Sequence, residues 1–199
     1  MIALGLVVAV AAVGIIGYGV WYSWDSGRPF GERSSQQIDG VKNFRKAKPP
    51  WLTRNHVQGK IKYPVSPPVG GDHNPQWQNC EGDIYGAAIA NEHAVHSMEH
   101  GAVWITYRPD LPKSQIDKLA EKVRGNDYML MSPYPGLSSP IALQAWGFQL
   151  KVKKASDKRI DDFIVQFRNN ARVEQGATCS QGLTQTGTTP VDASTQTGG

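Results

Sequence analysis

The run AVWITYRPDLPKSQIDKLAEKVRGNDYMLM, residues 102–131, decides the fold class. Its opening, Ala102–Tyr107, is apolar and rich in β-branched and aromatic side chains, as expected of a strand buried in a core. Pro109-Asp110-Leu111-Pro112 then starts a helix, with Pro112 tolerated in the first turn. Ile116, Leu119, Ala120 and Val123 recur at i, i+3, i+4 and i+7 and form one apolar stripe. Gly125 suits the C-terminal cap, and Tyr128–Met131 reads as a second strand.

Working outward, Pro133–Ser139 is a turn and Ile141–Val152 a third, longer strand. Ser156 can cap a last helix whose Ile160, Phe163, Ile164 and Phe167 share a face. Upstream, Asn91–His100 is a short helix, Pro64–Pro75 a Pro- and Gly-rich loop, and Lys60–Tyr63 a short strand. The neighbouring strands at 128–131 and 141–152 are expected to pair antiparallel. The expected fold is therefore α+β, a small antiparallel sheet with helices packed on one face, of which the ferredoxin-like arrangement is one form.

Four segments are expected. From Ile2 to Tyr22 no residue is charged and none is proline. At about 1.5 Å per residue this run spans roughly 32 Å, close to a bilayer's hydrocarbon thickness. Trp21, Tyr22 and Trp24 cluster at its end, where amphipathic rings favour the headgroup level. A secretory signal would instead show a basic start and a small-residue cleavage site. Residues 1–24 are thus read as an uncleaved transmembrane anchor, 25–50 as a polar tether, 51–175 as one globular domain, and 176–199 as a disordered Gly/Thr/Ser/Gln tail.

The net charge of +4 is modest. Its distribution is uneven: between Asp39 and Asp72 there is no acid, while Lys42, Arg45, Lys46, Lys48, Arg54, Lys60 and Lys62 fall there. Following a membrane helix, this stretch is expected to be a solvated linker or to meet membrane lipid, rather than to bind nucleic acid. Arg28 and Arg33 after the helix, with nothing basic before it, would by charge alone leave the domain inside. The two cysteines, Cys80 and Cys179, allow either one long-range disulfide or two free thiols.

Four of the five histidines, His73, His93, His96 and His100, lie close together. In a helix, His93, His96 and His100 fall at i, i+3 and i+7 on one face. Three such imidazoles, with His73 from the Gly-Gly-Asp-His loop, make a ligand set for copper or zinc, and Glu92 and Glu99 can orient the rings. In a strand, His96, Met98 and His100 would share a face instead, and the thioether would favour copper. His96-Ser-Met-Glu99-His100 also fits H-x-x-E-H, in which two histidines hold zinc and the glutamate activates water. That pattern needs a third ligand downstream, and acids there, Asp161 and Asp162 among them, carry no distinctive motif.

PPVGGDHNPQWQNC (residues 67–80), NEHAVHSMEHGAVWITYRPDLP (91–112) and MSPYPG (131–136), followed by AWG, resemble a bacterial, mostly actinobacterial family of membrane-anchored proteins catalogued as domain of unknown function 3105. The resemblance covers about residues 55–180. It implies an extracytoplasmic domain on a single-helix anchor, which outweighs the local charge pattern, and a Cys80–Cys179 disulfide. The family's recurrent positions correspond to His73, Trp77, Cys80, Glu92, His93, His96, Glu99, His100 and Gly101. Relatives more often place Gly directly after the first cysteine, where this chain has Glu81.

The expectation is a single-pass protein of the cell membrane whose outer domain binds copper or zinc. Its rival is a non-enzymatic accessory subunit docking on a larger integral-membrane complex, and zinc-dependent hydrolysis is a third reading.

Overall fold

The computed structural model describes residues 13–24 and 37–192. Two units separate, one ending at Gln37 and one beginning at Ile38. In the first, residues 13–24 form helix α1. Val13, Ile15, Ile16, Val20, Trp21 and Trp24 are all exposed on it. The rest of the expected membrane span, residues 2–12, lies outside the described residues. Among the described residues no helix is long and apolar enough to cross a membrane.

The domain is built on one six-stranded sheet: β1 (Lys42–Asn43), β2 (Glu81–Ile84), β3 (Val103–Tyr107), β4 (Met129–Pro133), β5 (Ile141–Ala145) and β6 (Phe148–Val152). Its order is β1-β6-β5-β3-β4-β2. The sheet is mixed, not antiparallel: β4 runs parallel to both β3 and β2, while β3–β5, β5–β6 and β6–β1 are antiparallel. The expected pairing of 128–131 with 141–152 does not form. The later segment folds at Trp146-Gly147 into the β5–β6 hairpin, with Gly147 at φ +78°. β5 then returns beside β3, which lies between β4 and β5. Helix α4 (Lys113–Val123) makes the crossover that parallel β3 and β4 need.

Helices cover both faces rather than one. Trp104 and Leu130 are register partners, so they share a face. They pack with Ala94, Val95 and Met98 of α3 (Asn91–His100) and with Cys80 and Cys179. On the opposite face Phe148 stacks on Phe167 of α5 (Arg159–Phe167), with ring centroids 4.4 Å apart. Two-sided cover explains why every residue of β3 and β5 is buried. It also excludes the ferredoxin-like arrangement, whose helices share one face of an antiparallel sheet.

Both flanks differ from expectation. Of the expected tether, residues 25–36 lie outside the described residues, and residues 38–50 pack as part of the domain. Asn43 caps α2 (Phe44–Ala47) by accepting from Lys46 N. Arg45 then reaches inward, donating from Nε to Trp146 O at 2.9 Å and from Nη2 to Ala171 O, and lies over the Phe148 ring. Burial lowers this guanidinium to about 10. Of the basic stretch expected at the lipid surface, Arg45 thus belongs to the fold. The C-terminal segment is likewise held in place as far as Asp192. Cys179 is bonded to Cys80 across a separation of 99 residues. Asn79 N donates to Leu183 O, Leu183 N to Trp77 O and Gly187 N to Ala88 O. A tail with few apolar residues is ordered here by main-chain hydrogen bonds and a covalent link, neither of which composition reports. Residues 193–199 lie outside the described residues.

Candidate metal centre

Helix α3 is polar yet buried from Glu92 to His100. Ala94, Val95 and Met98 take its core side, leaving Glu92, His93, His96, Glu99 and His100 on the other. The helix ends because Gly101 adopts φ 116° and donates to Met98 O and Ser97 O. A Cβ there would come within 3.0 Å of Arg172 Cβ and 3.2 Å of Asn169 Cα. Residues 73–78 run beside its first turns: Asn74 N donates to Glu92 O, Gln78 N to His93 O, and Ser97 Oγ to Gln78 O.

Each of the four buried imidazoles has its Nδ1 against a main-chain carbonyl. The partners are Gly71 O for His73 (2.8 Å), Gln76 O for His93, Asn74 O for His96 and Thr178 O for His100 (2.7 Å each). A carbonyl only accepts, so Nδ1 carries a hydrogen in each ring, and in the neutral form Nε2 presents a lone pair. Where those lone pairs point separates the four. His93 Nε2 accepts from Val191 N at 2.8 Å. Both of its nitrogens are occupied, and His93 leaves the expected ligand set. His73 Nε2 lies 2.8 Å from Glu99 Oε2, but the approach is not that of a hydrogen bond, and the nitrogen is buried without a donor or acceptor partner.

His56, His73, His96 and Glu99 each bring one ligand atom to within 4.8 Å of the others, a group able to hold a metal ion. A second group, His96, His100 and Glu174, meets the same limit and shares His96. Glu99 is thus in the ligand group itself and not only an orienting residue. Glu92 serves elsewhere, its Oε1 accepting from Ile61 N at 2.9 Å. Met98 lies fully buried in the Trp104 cluster on the far side of α3, so the strand register that would align it with His96 and His100 is absent.

His56 and Glu174 were not anticipated. His56 arrives through a single isolated bridge to His73, with Val57 N donating to His73 O and His73 N to Asn55 O. Asp72 steadies that pairing by accepting from Thr53 Oγ1 (2.5 Å) and Asn55 Nδ2 (2.8 Å). The Thr53 bond, ahead of the others, holds its carboxyl below the usual range. Glu174 is placed by Val173 N and Glu174 N, both donating to Glu99 O. The only advance signals were a fifth histidine and an acid just before the second cysteine. Asp161 and Asp162 are exposed, and Asp161 pairs with Lys122.

Burial pushes the His96 imidazole down to about 3, reinforced by His73 and His100. Burial also lowers His100 and His93, opposed in part by their carbonyl hydrogen bonds. Burial thus favours the neutral form of His93, His96 and His100, and the cluster is crowded: His96 lies 4.8 Å from His73 and from His56 and 4.5 Å from His100, centroid to centroid. Trp77 lies against His96 and His100, and Trp146 stands edge-on to His73.

The sequence pattern of the family described as "Protein of unknown function (DUF3105)" matches residues 56–181. The chain belongs to this family. The match begins at His56 and extends past Glu174, so the family domain contains every residue of both metal-capable groups. No curated protein and no solved structure matches the chain.

Proposed function

We propose that this protein is a membrane-anchored domain that binds one zinc or copper(II) ion through His56, His73, His96 and Glu99. The observation that carries the reading is the pair His73 Nε2 and Glu99 Oε2. With the Nδ1 hydrogen spent on Gly71 O, the neutral His73 ring and the Glu99 carboxylate bring two electron-pair donors within 2.8 Å, and His73 Nε2 makes no hydrogen bond. A bound cation resolves that opposition. Ligands about 2.0–2.2 Å from zinc lie roughly 3.3–3.6 Å apart in a tetrahedron, and the four ligand atoms here lie within 4.8 Å of one another. Carbonyls gripping Nδ1 are the usual outer partners of metal-bound histidine. With Met98, Met129 and Met131 in the core and both cysteines in a disulfide, no sulfur is offered among the described residues. That argues against Cu(I) and for a divalent ion of imidazole and carboxylate preference.

The anchor rests on α1, whose apolar side chains are exposed all round, and on the apolar sequence continuing upstream to Ile2. The disulfide supports an extracytoplasmic domain, since such bonds seldom persist in the cytosol. Hydrolysis gains one supporting feature: Glu174 supplies the downstream carboxylate that H-x-x-E-H requires. Glu99, which would have to activate water, is instead buried against His73, and binding without hydrolysis is the reading adopted.

The test is elemental analysis of the full chain, purified from membranes in detergent, stripped of metal and reloaded with zinc or copper(II). One tightly held equivalent is expected, lost in the His73→Ala, His96→Ala double variant. Unchanged metal content in that variant sinks the proposal. Protection of the domain from protease in intact cells would refute the outward orientation.

A further inference from the structure

His96 belongs to two ligand groups, yet its Nε2 has one lone pair and can bind one ion at a time. The second group is His96, His100 and Glu174. His100 spends its Nδ1 hydrogen on Thr178 O and turns Nε2 toward Glu174 Oε2 at 3.3 Å. This repeats the opposition of nitrogen and carboxylate seen at His73 and Glu99. The two groups differ in their surroundings. The Glu174 side chain is 49% exposed, whereas those of His73 and Glu99 are 0% and 6% exposed. Main-chain bonds from Val173 and Glu174 to Glu99 O tie the outer carboxylate to the helix that carries the histidines. Arg54 Nη1 donates to Val173 O and steadies the same turn.

We propose that His100 and Glu174 form a second, solvent-facing site for a divalent transition metal, coupled negatively to the first through their shared claim on His96. The inference rests on the first site being a metal site. With an ion held by His56, His73, His96 and Glu99, the outer site keeps two protein ligands and fills with water, so it binds more weakly. When the inner site lacks its ion, His96 completes the outer one. Occupation of either site therefore lowers the affinity of the other.

Competition titration of the full-length protein in detergent with Zn2+ alone tests this. The wild type is expected to bind two equivalents, the second at least tenfold more weakly. Glu174→Gln should weaken the second equivalent tenfold or more and leave the first within about twofold. His73→Ala should weaken the first and strengthen binding at the outer site severalfold, because His96 is released to it. A single equivalent in the wild type, abolished in the His73→Ala, His96→Ala variant, overturns the second site and leaves the first standing. A second equivalent indifferent to Glu174→Gln is adventitious and also overturns it. No bound zinc at all removes both proposals.

Discussion

Acidifying the metal-free protein gives a direct reading of the histidine cluster. In the unfolded chain His96 titrates near 6.5, and in the folded domain burial depresses it to about 3. As pH falls through 6.5 the unfolded state takes up a proton that the folded state refuses until about 3. The neutral, folded form is thus fully favoured above 6.5, and stability is lost progressively as pH drops toward 3. One proton of difference corresponds to about 1.4 kcal/mol per pH unit, so His96 alone removes roughly 2–3 kcal/mol between about pH 6.5 and 4.5. His93 and His100 are lowered in the same direction and steepen the loss. Asp72 and Asp157 are also lowered, but carboxyls contribute mainly below about pH 4. Urea unfolding of the chelator-treated protein, followed by tryptophan fluorescence across this range, measures the slope. His96→Gln, which keeps a donor for Asn74 O and cannot titrate, should flatten it by about one proton. If stability holds or rises on acidification, the histidines take up protons in the folded state. The His73–Glu99 and His100–Glu174 contacts would then be plain ion pairs, and the case for neutral ligands would fail.

Reduction of Cys80–Cys179 frees a loop of 99 residues' separation, worth about 4–5 kcal/mol in the chain-entropy account. Calorimetry with and without reductant should show Tm falling by about 10–18 °C, and a fall under about 4 °C would mean that the strap is held without the bond. Gly101→Ala forces a side chain into φ 116° and toward Arg172 and Asn169. It should cost about 2–4 kcal/mol in equilibrium unfolding, and an unchanged midpoint would show that the end of α3 can relax around it.

The elements were legible because their periodicity is strong: α3, α4, α5, β3 and β4 lie close to where the sequence places them. Their arrangement was not. The apolar pattern of β3 announces burial on both faces, but it cannot name the neighbours, so the parallel β3–β4 pair and the second helical layer were missed. For the candidate group, Glu99 reads as an orienting residue rather than a ligand, and helical spacing put His93, His96 and His100 on one face. It could not find His56, brought in by one isolated bridge, or Glu174, placed by main-chain bonds to the end of α3. It also admitted His93, whose second nitrogen is taken by Val191, a residue in a segment that composition marks as unstructured.

The C-terminal strap gives the centre a birth order. His100 is aimed by the carbonyl of Thr178, one residue before the cysteine that closes the long loop, and His93 is sealed by Val191. A chain emerging from its N-terminus already carries all its imidazoles long before these partners exist. The surroundings of His93 and His100 take their final shape only once residues 178–191 are in place and the sulfurs are joined, so an ion at the proposed outer site would be loaded after the disulfide forms.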